Sequence, residues 1–222
     1  TEIYTRSLRG ALPIWIGPEA AFSAQTCVHR LNLISHLYGQ WSLIHQVTIE
    51  NPVVRGVRPV LDNGRNRRLG PEPDQDGKTE EDRLYAVCDT SKSTWLGAAV
   101  RIAQETSMRQ AELAGLTGDR VHLDGPHPHA DLPRTKNDRP RRVPLSTRAV
   151  AAFRSLLPDG ASAIGKRRVF PIETPRAIGH AFRTAVKEDR FPDLRWHDLR
   201  HEAISRLFEN IDLRDHEIMA IT

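Results

Sequence analysis

The chain is organised around the stretch LRWHDLRHEAISRLFE, residues 194–209. Its apolar side chains recur three and four positions apart, as they do on the buried face of a helix. They are Leu199, Ala203, Ile204, Leu207 and Phe208. Asp198 falls in the first turn, where a carboxylate suits the positive end of the helix dipole. The stretch therefore predicts an amphipathic helix with one buried face.

Three basic residues of this helix share a face. His197, Arg200 and His201 lie three and four positions apart, so their side chains are neighbours. Arginine presents a fixed fork of donors to a phosphate group, and histidine adds a proton that titrates near neutral pH. The pattern predicts an anion site. The alternative is a partly exposed helix whose basic residues are incidental.

The two histidines also allow a different interpretation. His197 and His201 have the i, i+4 spacing of the H-E-x-x-H zinc motif, and His216 is available as a third ligand. However, Asp198 replaces the glutamate of that motif, and Arg200 would bring a positive charge close to the metal. A zinc hydrolase is therefore a remote alternative.

Composition favours a polyanionic partner. The 222 residues leave room for one large domain, or one domain and a fragment, and 39% of them are hydrophobic. Lysine and arginine number 32 against 28 acidic residues, and the pI is about 9.4. The basic residues crowd into 55–68 and 134–148, whereas acidic residues crowd into 72–82.

Cysteine content and hydropathy give expectations about location. Cys27 and Cys88 are the two cysteines, and their spacing fits no metal motif, which is typical of a reducing cytosol. No apolar run approaches about 18 residues, so we expect no transmembrane helix. Residues 11–16 are too short and too proline-broken for a secretion signal.

The remaining periodicity predicts a series of helices, interrupted by a linker. Helices are expected at 20–44, 80–90, 93–105, 146–157, 175–187 and from 211 onward. Asn51-Pro52 is expected to end the first element, because the residue before a proline avoids the α region. Residues 53–78 lack a period and are interpreted as a linker, whose arginines either track a phosphate backbone or are simply solvated.

The segment from Ser107 to Leu116 predicts a short helix. Ser107 and Gln110 have the spacing of a capping box, so the helix is expected to begin at Ser107. Arg109 would then lie in the first turn, where free backbone N–H groups attract anions. A plain surface arginine is the alternative.

Three short strands are expected after this helix. They cover 121–123, 129–132 and 141–145, and Pro144 makes the last an edge strand. His127-Pro128-His129 is interpreted as a polar turn. Lys136 would lie at the tip of the second hairpin, beside several arginines.

Three motifs, in this order and spacing, resemble the catalytic domain of the tyrosine recombinases, the phage integrase family. They are SMRQAEL at 107–113, TKN at 135–137 with RVPL at 142–145, and HDLRH at 197–201. The resemblance implies a mainly α (α+β) fold, a helical DNA breaking-rejoining domain with a small, mostly antiparallel three-stranded sheet. It also implies the end of a core-binding domain at 1–52, a basic linker at 53–78 and a catalytic domain at 79–222.

The resemblance further implies a mechanism without metal, ATP or other cofactor. Arg109 and Arg200 match the arginines that hold the scissile phosphate, Lys136 matches the lysine that protonates the leaving 5′-oxygen, and His197 matches the residue that assists proton transfer. Glu112 and His201 match supporting positions. The expected DNA contacts are Arg65, Arg67, Arg68, Arg134, Arg139, Arg141 and Arg142.

The chain departs from the family pattern at the nucleophile. Family members cut DNA with a tyrosine that follows the active-site helix, whereas Tyr4, Tyr38 and Tyr85 all precede it. We therefore expect the nucleophile beyond Thr222 and no cleavage by the chain as given; a non-catalytic DNA-binding remnant or accessory protein is the alternative. The implied partners are double-stranded DNA and further copies forming a tetramer on it, with no membrane, in a bacterial or phage-infected cytoplasm at the nucleoid.

Overall fold

The computed structural model describes residues 22–54, 56–61, 64–133, 140–187, 191–210 and 214–222, with backbone alone at 210, 216 and 220. The chain divides into two compact units, residues 1–65 and 66–222. This division falls inside the predicted linker, and the predicted domain boundaries stay a prediction.

The first unit contains helix α1, Ala24–His45. The Ser23 side chain accepts a hydrogen bond from the Thr26 N–H and caps the first turn. The helix ends one residue beyond the predicted 20–44 range, because Gln46 adopts a left-handed conformation with φ 54°, and Asn51-Pro52 lies further along the chain. The Asn51 side chain instead donates to the Ser35 carbonyl (3.2 Å), which holds the returning chain along α1.

The second unit is mostly helical. Its helices are α2 (Glu80–Asp89), α3 (Leu96–Thr106), α4 (Gln110–Ala114), α5 (Thr147–Leu156), α6 (Ala161–Ile164), α7 (Pro175–Ala185), α8 (Trp196–Asn210) and α9 (Asp215–Ile221). Helix α8 is the element predicted from residues 194–209. Ser146 caps α5 as predicted, by accepting from the Ala149 N–H. The short helix α6 was not expected.

Helix α3 lies at the centre of the core. Its Leu96, Ala99, Val100 and Ile102 are fully buried, and it packs against α2, α5 and α8. A helix that is apolar on nearly all sides is stable only when other elements surround it. The position of α3 therefore fixes where α8 and the start of α4 meet.

The sheet has three antiparallel strands in sequence order. They are β1 (Val121–His122), β2 (His129–Leu132) and β3 (Arg141–Pro144). Ala130 pairs with Val121 and with Val143, and all three are buried. Side chains alternate across a strand, so the neighbouring residues face outward. The predicted fold class, mainly helical with one small three-stranded antiparallel sheet, is confirmed.

In the part of the chain that the structure describes, no helix combines the length and apolar character needed to cross a bilayer.

Candidate active site

Arg109 lies at the junction of α3 and α4. The prediction that Ser107 caps this helix is wrong, because Ser107 is the C-cap of α3 with φ 52°. A residue in that left-handed conformation cannot also serve as an N-cap, which needs extended backbone. Arg109 takes the N-cap position instead, with φ −69° and ψ 151°, and its capping partner is Glu112.

Glu112 connects two arginines to this helix start. Its Oε2 accepts hydrogen bonds from the Arg109 N–H (2.8 Å) and from Nη2 of Arg141 (2.8 Å), and its Oε1 accepts from Nη1 of Arg109 (3.0 Å). The Glu112 side chain is 5% exposed and that of Arg141 is 10% exposed. One buried carboxylate thus orients two guanidinium groups and caps α4.

Arg200 reaches the same place from α8. Its Nη1 donates to the Ser107 carbonyl, and its Nη2 donates to the Thr222 main-chain oxygen (2.7 Å). Arg141 donates to that same Thr222 oxygen. Arg141 and Arg200 therefore converge on one acceptor, although they come from the sheet and from a helix.

These residues form the arginine cluster, defined as Arg109, Arg141 and Arg200 with Glu112. Burial, followed by the charges of Arg109 and Arg141, lowers the pKa of Arg200 to about 10. Burial and the charge of Arg109 also lower the pKa of Arg141, against the opposing effect of Glu112. Three guanidinium groups stand around the single carboxylate side chain of Glu112, so positive charge is in excess, which favours an anion among these groups.

His197 lies near this cluster on α8. Its ring is exposed and stands edge-on to that of His201, with ring centroids 4.7 Å apart. Partial burial, then the charges of His201 and Arg200, lower the pKa of His197. The neutral imidazole is therefore the main form at neutral pH, and a neutral imidazole can accept a proton.

The zinc alternative for this helix gains no support. Within the described side chains, no third metal-ligating group joins His197 and His201, and the side chain of His216 lies outside them.

The linker arginines make ion pairs within the second unit. Arg67 pairs with Glu80, while Arg68 pairs with Glu202 (2.7 Å) and Glu209 (2.7 Å). Arg206 on α8 completes the group through Glu81 (2.8 Å) and Glu202 (2.8 Å). We call this set the anchoring network: Arg67, Arg68 and Arg206 with Glu80, Glu81, Glu202 and Glu209.

The remaining residues predicted for catalysis or DNA contact lie outside the arginine cluster and the anchoring network, or outside the described residues. Arg65 is half-buried, and the exposed Arg142 pairs with Asp131 (2.9 Å). Lys136, Arg134 and Arg139 lie outside the described residues.

Sequence reasoning assigned Arg141 to DNA contact alone and missed its place inside the cluster. The available signal was strand alternation, because Arg141 shares the inward face of β3 with the buried Val143. It also missed Glu202, which is 3% exposed on α8. The available signal was its position three residues after Leu199, on the face that the apolar spacing predicts to be buried, because a carboxylate buried there needs a partner.

Comparisons with known proteins identify the family and the relatives of this chain. The model of the phage integrase family matches residues 77–219. A shufflon-specific DNA recombinase of Escherichia coli is 38% identical over 172 residues, covering 78% of this chain and 41% of that protein. A putative integrase/recombinase of Haemophilus influenzae is 35% identical over 119 residues, covering 53% of this chain and 30% of that protein.

Solved structures share the fold. The Tn1549 transposon integrase in complex with circular intermediate DNA superposes with a TM-score of 0.66 at 18% identity, covering 96% of this chain and 74% of that one. A lambda integrase tetramer bound to a Holliday junction superposes with a TM-score of 0.68 at 17% identity, and the match covers 98% of this chain and 62% of that one. The chain spans less than half the length of the curated relatives above.

Proposed function

Because this chain belongs to the phage integrase family, we propose that it is the phosphate-activating part of a site-specific DNA recombinase. The recombinase breaks and rejoins DNA through a 3′-phosphotyrosyl intermediate. Its partners are double-stranded DNA and further copies of itself, assembled as a tetramer on DNA, at the bacterial nucleoid. The tyrosine lies outside the 222 residues, since all three tyrosines present precede the arginine cluster.

The arginine cluster is the observation that carries this proposal. In phosphoryl transfer, negative charge grows on the non-bridging oxygens in the transition state, and fixed donors lower its energy. Arg109 and Arg200 hold those oxygens. Arg141 is a positioning residue, because it shares Glu112 with Arg109 and the Thr222 oxygen with Arg200. Its buried Nε has no acceptor among the described atoms, so a further donor remains for an anion.

His197 and Lys136 move protons in this proposal. The lowered pKa of His197 favours a neutral imidazole, which takes the proton from the attacking tyrosine. Lys136 protonates the leaving 5′-oxygen. Glu112 supports Arg109 by its two hydrogen bonds, and His201 supports His197 through ring contact.

Tyr85 is not the nucleophile. Its hydroxyl donates to Glu81 (2.8 Å), within the anchoring network, and burial followed by the charge of Glu81 raises its pKa. A tyrosine whose pKa is raised gives up its proton less readily, so less of the reactive phenolate forms.

The test compares the 222-residue chain with a longer form that includes the next downstream tyrosine of the reading frame. Both are incubated with nicked suicide substrates in EDTA, and covalent adducts are detected after denaturation. The longer form is expected to trap DNA without metal, whereas the 222-residue chain binds DNA but forms no adduct. An adduct with the shorter chain, or one that requires metal, would contradict the proposal. Binding by both forms with no adduct from either would support the DNA-binding alternative.

A further inference from the structure

The outward face of the sheet carries a second group of chemically active side chains. His122 on β1 is the cross-strand partner of His129 on β2, and their rings stack with centroids 4.5 Å apart. Asp131 follows two positions later on β2, so it projects from the same face as His129. These residues face away from the core to which Ala130 and Leu132 belong. The arginine cluster includes none of them.

Their potential ligand atoms are close together. Oδ2 of Asp131 lies 3.3 Å from Nε2 of His122 and 3.8 Å from Nε2 of His129. All three ligand atoms lie within 4.8 Å of one another. Zinc binds nitrogen and oxygen at about 2.0–2.1 Å in tetrahedral geometry, which separates the ligand atoms by about 3.3–3.5 Å. Small side-chain rotations would therefore complete three corners of such a site.

Neighbouring groups already orient two of these ligands. Nδ1 of His129 lies 2.8 Å from the His127 carbonyl oxygen, so Nδ1–H donates there and the lone pair remains on Nε2. Nε of Arg142 donates to Oδ1 of Asp131 (2.9 Å), which leaves Oδ2 toward the histidines. Outer partners of this kind fix ligand orientation in metal sites.

We propose that His122, His129 and Asp131 bind one zinc ion, with water as the fourth ligand. Two imidazoles and one carboxylate suit zinc far better than magnesium or calcium, which prefer oxygen. The positive charge of Arg142 opposes the ion, but its side chain is 66% exposed and water screens that charge. The bound ion ties β1 to β2 and stabilises the sheet. This structural role is separate from the recombinase chemistry, which uses no metal.

The alternative is a surface carboxylate that hydrogen-bonds two histidines and holds no metal. Titration of the metal-free 222-residue chain with zinc chloride, followed by calorimetry, separates the two. One zinc ion per chain is expected. At 100 times the dissociation constant, zinc should raise Tm by about 5–10 °C, and EDTA should reverse the rise. Cobalt should give the intense visible bands of tetrahedral coordination.

Two variants and a matched control locate the ion. His129→Gln and Asp131→Asn should each weaken zinc binding at least tenfold, whereas His180→Gln, which alters an exposed histidine on α7, should bind as the parent does. Circular dichroism verifies that each variant is folded, and a variant that does not fold is replaced by His122→Gln. No zinc binding by the parent chain would overturn the proposal. So would binding that survives these changes, or binding abolished only by His197→Gln.

Discussion

Helix α8 carries parts of two arginine-rich regions that differ in charge balance. In the arginine cluster, three guanidinium groups stand beside one carboxylate side chain, which accepts hydrogen bonds from two of them. Burial, followed by the charges of neighbouring arginines, lowers the pKa of Arg200 and of Arg141. In the anchoring network, three guanidinium groups meet four carboxylates. There the hydrogen bonds to Glu209 and Glu202 raise the pKa of Arg68. Burial lowers the pKa of Arg206, but the hydrogen bonds to Glu81 and Glu202 outweigh it and the net shift is upward.

The difference shows that the partners of an arginine decide its role. The anchoring network is neutralised internally and attaches residues 67–70 to α2 and α8, since Glu202 also accepts from the Leu69 N–H (3.2 Å). The arginine cluster keeps an excess of positive charge, so it is stabilised when an anion arrives. Changes in the cluster should therefore affect chemistry, whereas changes in the network should affect stability.

The largest expected effect is on strand cleavage. In a longer form that supplies the proposed tyrosine, Arg109→Ala or Arg200→Ala should each slow covalent adduct formation by roughly 100- to 1000-fold, about 3–4 kcal/mol, because a fixed transition-state donor is lost. Single-turnover assays with suicide substrates measure this rate.

Two matched changes sharpen that prediction. Arg154→Ala should leave the rate unchanged, since Arg154 is an exposed residue on α5 paired with the exposed Asp124. Arg206→Ala, on the same helix as Arg200, should slow adduct formation less than tenfold under conditions where the variant is folded. Equal losses for Arg200 and Arg206 would remove the distinction between the two regions.

The sequence predicted much of the fold and part of the site. The α8 stretch was predictable because its apolar spacing and basic residues are local, and the three motifs predicted Arg109 and Arg200, which both belong to the arginine cluster. The anchoring network was not predictable from the sequence, because Arg68 and Glu202 are 134 positions apart and only tertiary packing brings them together. The error at Ser107 was also tertiary in origin: the motif S-x-x-Q suits a cap, but the chain leaves α3 through a left-handed residue there.

The second effect concerns stability. Glu202→Gln should lower the free energy of unfolding by about 2 kcal/mol, because it leaves Arg68 and Arg206 without their shared charged partner. Breaking a fully buried pair costs about 3–5 kcal/mol, and the partial exposure of both arginines reduces that figure. Urea unfolding monitored by circular dichroism measures the change.

Glu209→Gln is the control for that stability experiment. Glu209 pairs with the same arginine but is 53% exposed, so its replacement should have no measurable effect. A Glu202→Gln variant as stable as the parent would show that the network does not anchor the segment.

The third effect is the pH dependence of stability. Burial raises the pKa of Glu202, but the hydrogen bonds from Arg68 and Arg206 outweigh burial and bring the folded-state pKa below the ordinary value of 4.5. Its contribution is therefore complete above about pH 4.5 and is lost as pH falls through the folded-state pKa. Over that range one carboxylate contributes at most about 1.4 kcal/mol per pH unit. Urea unfolding from pH 6 to 3 should give a shallower acid decline for Glu202→Gln than for the parent, and parallel curves would contradict this.

The smallest expected effect tests the charge excess of the arginine cluster directly. Burial, followed by the charges of neighbouring arginines, opposes the charged forms of Arg200 and Arg141, and a bound dianion should stabilise those charges. Phosphate at three times its dissociation constant should stabilise the fold by about 0.8 kcal/mol, which raises Tm by about 2–3 °C. Sulfate and phosphate also stabilise proteins generally by exclusion from the surface, and that contribution should be equal in every variant. The expected result is a larger rise for the parent chain and for Arg154→Ala than for Arg200→Ala. If Tm rises equally in all three proteins, the cluster does not hold phosphate.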